Sequence, residues 1–130
     1  MKKLLSLLIL IVSNCSFSQQ VPDTIYNPKI NHPMYADGEG PTVFIDEGHH
    51  NFHTKEGRYR AFSNLLERDG YQLKAYKGKF TTHALSEGKI LVISNALHES
   101  NVNDWALPNP SAFSKTEIEI VKNWVYSGGN

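Results

Sequence analysis

Cysteine is almost absent from this chain: the one residue of that type, Cys15, lies inside an apolar leader. With that leader removed, no disulfide, thiolate nucleophile or cysteine metal site can be assembled from the rest. An excess of charge is missing too. The chain has 13 basic and 13 acidic residues, and loss of Lys2 and Lys3 with the leader leaves 11 against 13, a net charge of −2. Nucleic acid and anionic lipid both demand concentrated positive charge, so neither is an expected partner. The one basic stretch, Lys74, Lys77 and Lys79, reads as a solvated strand edge. There is no internal repeat, no low-complexity tract and no H-E-x-x-H zinc pattern. Asp37-Gly38-Glu39-Gly40 precedes the first expected strand, which excludes it as a phosphate-binding glycine loop. Long hydrophobic runs are also lacking: Leu4 to Val12 spans nine residues, whereas about 20 are needed to cross a bilayer as a helix.

What the N-terminus does have is the division of an export signal. Lys2 and Lys3 precede the apolar run, and Ser16-Phe17-Ser18 places small residues where a signal peptidase inspects them. Residues 1–18 are therefore expected to be a signal peptide, cleaved after Ser18, and the mature protein to be periplasmic or secreted, with no membrane attachment after cleavage. The alternative is a lipoprotein acylated at Cys15; against it, Asn14 stands where a small residue is normally wanted. The remaining 112 residues suffice for one small domain.

Residues 19–40, punctuated by Pro22, Pro28 and Pro33, read as an irregular lead-in. From Pro41 the pattern becomes regular. Thr42 to Asp46 (TVFID) is a short apolar run of β-formers suited to a central strand covered on both faces. A helix is expected over about Gly57 to Arg68, stopped at Asp69-Gly70. Tyr71 to Tyr76 alternates as a strand, Thr81 to Leu85 makes one helical turn, and Ile90 to Ser94 is a second buried-type strand. A long polar loop, Asn95 to Phe113, follows, and its length invites a functional reading. Trp105 within it is expected to pack the loop down rather than to stack on a sugar ring. Ser114 to Glu117 (SKTE) is a capping box for a helix reaching about Tyr126, with Ser127-Gly128-Gly129 as its stop. The order β-α-β-(α)-β-α predicts an α/β fold, a partial doubly wound parallel sheet with helices on both faces. A helix with an apolar face and a glycine stop hands over to another strand, so residues 41–130 are expected to be the N-terminal part of a domain that continues past Asn130.

Open parallel sheets bind ligands at the carboxyl ends of their strands. Two polar clusters fall there: Asp46, Glu47, His49, His50, Asn51 and His53 after the first strand, and Asn95, His98 and Glu99 after the third. Convergent carboxylates and imidazoles are what acid–base chemistry or metal binding requires, so Glu47 and His49 are the catalytic candidates. Asp46, His50, Asn51, His53, Asn95 and His98 are the ligand-binding candidates. Histidine and carboxylate leave a divalent metal open as cofactor without naming it. The plainer alternative is that Asp46 and Glu47 satisfy backbone donors, His49 and His53 cap the next helix, and His50 faces water.

The segments GPTVFIDEGHHNFHT, LLERDGYQL, ILVISNAL and SAFSKTEIEIVKNWVYSGGN resemble a family of secreted bacterial proteins of uncharacterised function within the class I glutamine amidotransferase-like, flavodoxin-like fold group. The likeness covers Pro41 to Asn130. It implies that fold, export, and importance for Asp46, Glu47 and His49. True amidotransferases carry a nucleophilic cysteine after a later strand; with no cysteine beyond Cys15, glutaminase activity is not implied. Relatives in the group often accompany carbohydrate-degrading enzymes, which points to a saccharide or other small molecule as partner. The expectation is a non-catalytic module binding a glycan or small ligand; the alternative is a metal-assisted hydrolase acting on a saccharide or related molecule.

Overall fold

The computed structural model describes residues 21–130; the expected signal peptide, its cleavage site and Cys15 lie outside the described residues. β1 (Thr42–Asp46) is buried at all five positions, as an uninterrupted run of β-formers should be when covered on both faces. It is the middle of a three-stranded parallel sheet ordered β2-β1-β3. β2 (Gln72–Tyr76) pairs along it from Thr42↔Gln72 to Asp46↔Tyr76. β3 (Ile90–Val92) pairs on the other side from Val43↔Ile90 to Ile45↔Val92. β3 is two residues shorter than expected, because the Ser94 hydroxyl and the Asn95 N–H both donate to Asn51 of the loop after β1 instead of continuing the ladder.

The alternation of β1 divides the core. Val43 and Ile45 face Leu73, Tyr59 and Leu66 on the side of α1 (Arg60–Arg68). Phe44 faces Tyr76, Phe80 and Leu85 on the other side, with Ala84 of α2 (Thr82–Ser86) and Ile120, Val121 and Trp124 of α3 (Lys115–Tyr126) packed against them. Helices therefore cover both faces of the sheet.

α1 starts later than the sequence suggests, because residues 54–59 first make a turn in which Gly57 and Tyr59 both donate to the Thr54 carbonyl. It stops at Gly70, whose φ of +89° favours glycine and whose missing Cβ leaves room for the Tyr35 carbonyl. That carbonyl belongs to the lead-in, which lies along the C-terminal end of α1: the Met34 N–H donates to Asp69 (2.7 Å) and the Asn64 amide to the Tyr26 carbonyl (2.8 Å). α3 has the complete capping box, with Ser114 and Glu117 exchanging bonds as their spacing predicts. Among the described residues, no helix is long and apolar enough to cross a membrane.

Candidate functional site

β1 ends on Asp46, which is 1 % exposed. Its carboxylate cannot reach water, so local donors satisfy it. The Gly48 N–H donates to Oδ1 (3.0 Å) and the Asn51 amide to Oδ2 (2.6 Å). His49 Nδ1 lies 2.9 and 3.0 Å from the same two oxygens. The chain then turns through His50, whose φ of 50° is in the left-handed region, so His49 points inward while His50 stays exposed.

The second nitrogen of the buried imidazole meets a residue 68 positions away: His49 Nε2 is 2.9 Å from Glu117 Oε1. Phe80 and Phe113 flank the ring, with centroids 4.6 and 4.7 Å from it. A neutral imidazole has one N–H and one lone pair. Each ring nitrogen of His49 faces a carboxylate oxygen at hydrogen-bond distance. Glu117 gathers further donors: the Phe80 N–H (3.0 Å) on Oε1, and the Ser114 N–H (3.0 Å) and hydroxyl (2.7 Å) on Oε2. Burial pushes its carboxyl up, but the bonds from Ser114, His49 and Phe80 together outweigh burial and bring it from 4.5 down to about 2.

The loops after β1 and β3 are sewn together. Asn51 Oδ1 accepts from the Asn95 N–H (2.9 Å) and the Ser94 hydroxyl (3.1 Å), and Asn95 Oδ1 accepts from the Phe52 N–H (3.0 Å). The Leu97 N–H donates to the His49 carbonyl (2.9 Å). A crevice of about 430 Å3 opens over these loops and the start of α3. His50, Lys79, His98 and Glu99 line its wall, with His49 and Glu117 beneath. A hollow of about 460 Å3 between the lead-in and α1 is slightly larger, but Arg60, Asn64 and Arg68 line it and none of its lining residues comes from the loops after β1 or β3.

Asp46, His49, Asn51 and Asn95 thus form one connected network, with His50 and His98 on the crevice wall. His53 Nδ1 reaches Asn95 Oδ1 (3.2 Å) and its ring packs on Tyr59, away from the opening. Glu47, the first residue after β1, is directed to the turn before α1. Its Oε1 accepts the Lys55 N–H (2.8 Å), so the acid beside His49 is Glu117 and not Glu47. The capping box identified Glu117 only as a helix-start residue; its amphipathic position, one turn before Val121, was the available sign that it faces inward. Trp105 is a correction: it is 79 % exposed instead of packed, because Asn101 holds the loop by its backbone. Among the described residues, no group of three or more histidines, cysteines and acids is arranged around a shared point where a metal could sit.

No family model matches the chain, and neither the curated proteins nor the solved structures contain a match.

Proposed function

We propose that this is an exported binding module, an amidotransferase-like α/β domain that holds a glycan or other small polar ligand in the crevice over the carboxyl ends of β1 and β3. The supporting observation is the placement of His49. Its two nitrogens are both taken by buried carboxylates, so it shapes the crevice floor and has no free position from which to exchange a proton with a substrate. The groups that face the opening, His50, Lys79, His98 and Glu99, are donors and acceptors suited to recognition. The position agrees: β1 is where the strand order reverses, the usual ligand crevice of an open parallel sheet. Export rests on the leader of residues 1–18.

The test is an amide NMR titration of the 15N-labelled protein with small polar compounds: mono- and disaccharides, dicarboxylates and nucleotides. Shifts are expected to cluster at Gly48, His50, Gly78, Lys79, His98 and Ser111. Shifts confined to the hollow beside α1, or none with any compound, would refute the assignment.

A further inference from the structure

The loop between β3 and α3 keeps its most apolar side chain outside. Trp105 is 79 % exposed and Leu107 is 88 % exposed, although an indole buries more apolar surface than almost any other side chain when it packs inward. The loop is nonetheless tied by bonds of its own. Asn101, only 5 % exposed, donates its amide to the carbonyls of Asp104 and Ala106 (3.1 Å each), one on either side of Trp105. The Asp104 carboxylate accepts the Ala106 N–H across the same turn (3.1 Å). A buried amide is thus committed to holding the indole outward. Beside it lies a notch of about 50 Å3 between Leu97, Asn101, Trp105 and Asn109. Leu97 also lines the crevice over His49, so the notch and the crevice adjoin.

We infer that Trp105 is the stacking platform of a neutral oligosaccharide site. A pyranose has an apolar C–H face and a rim of hydroxyls. The indole matches the face, Asn109 stands at the rim, and the notch has room for one exocyclic group. The next sugar extends past Leu97 into the crevice. Glu99 on the crevice wall and Asp104, next to Trp105 in the chain, disfavour an anionic sugar or an anionic lipid surface. The inference rests on the crevice being the ligand site and specifies the class of ligand.

Tryptophan emission and titration calorimetry of the full chain with cellohexaose, xylohexaose, mannohexaose and chitohexaose provide the test. Trp124 packs against the core, so Trp105 dominates any change. At least one hexasaccharide should shift the emission to the blue. Trp105→Ala should weaken that binding tenfold or more with an unchanged thermal midpoint, and Trp105→Phe should weaken it less. A sugar that binds Trp105→Ala as well as the parent but is lost in His98→Ala leaves the crevice reading standing and removes the platform. If all four sugars leave the emission unchanged, or if only vesicles of phosphatidylglycerol and phosphatidylethanolamine shift it, the saccharide assignment is overturned.

Discussion

At the scale of single residues, Glu117 does most to set the site. One carboxylate caps α3, holds the Phe80 N–H and meets His49. Its folded carboxyl titrates near 2 against an ordinary value of 4.5. A depressed acid stabilises the fold fully above its unfolded value, and that contribution drains away as pH falls toward the folded value. The shift corresponds to on the order of 3 kcal/mol. Urea unfolding at a series of pH values should therefore show the parent losing more stability than Glu117→Gln between about pH 5 and pH 2 by roughly that amount. Parallel pH profiles for the two proteins would show that the carboxylate is not held as described.

Among elements, the close approach of two loops forms one wall of the crevice. An added Cβ on Gly48 would stand 2.2 Å from the Gly78 carbonyl oxygen and 2.5 Å from the Gly78 nitrogen. Both are backbone atoms, so no side chain can swing aside. Gly48→Ala should force the β1 and β2 loops apart and cost about 1 to 3 kcal/mol, as overpacking does. The midpoint of urea unfolding should fall with its slope unchanged. An unaltered midpoint would mean the loops part without strain.

At the scale of the whole fold, the described residues leave the β3 edge of the sheet thinly covered. Among the described residues, only Asn130 pairs with the outer edge of β3, bonding to Lys89 and Leu91. Ile93 beyond it is 39 % exposed and Ile118 of α3 is 48 % exposed. Between them an apolar groove of about 290 Å3 runs past Phe80, Phe113 and Val121. An apolar strand edge beside such a groove is a template for self-association. Sedimentation velocity should show association that grows with concentration. Ile118→Lys should reduce it while changing unfolding stability by less than about 1 kcal/mol, as expected of a half-exposed position. Equal association by both proteins would move the contact elsewhere.

Much of this architecture is legible in local patterns, since local patterns reflect local forces. The run TVFID specified a central strand, and SKTE specified where α3 begins. The helix order specified a parallel sheet, and the strand ends specified where the crevice lies. The sequence by itself thus determined the elements, their order and the end of the sheet where the crevice opens. Only the tertiary structure decided which polar groups meet there. Glu117 reaches His49 from 68 positions away because α3 packs over Phe44, and Glu47 is taken away from His49 because it accepts the Lys55 N–H. Trp105 stands outside because Asn101 bonds the backbone around it. Such choices depend on distances between segments far apart in the chain, which periodicity and spacing do not encode.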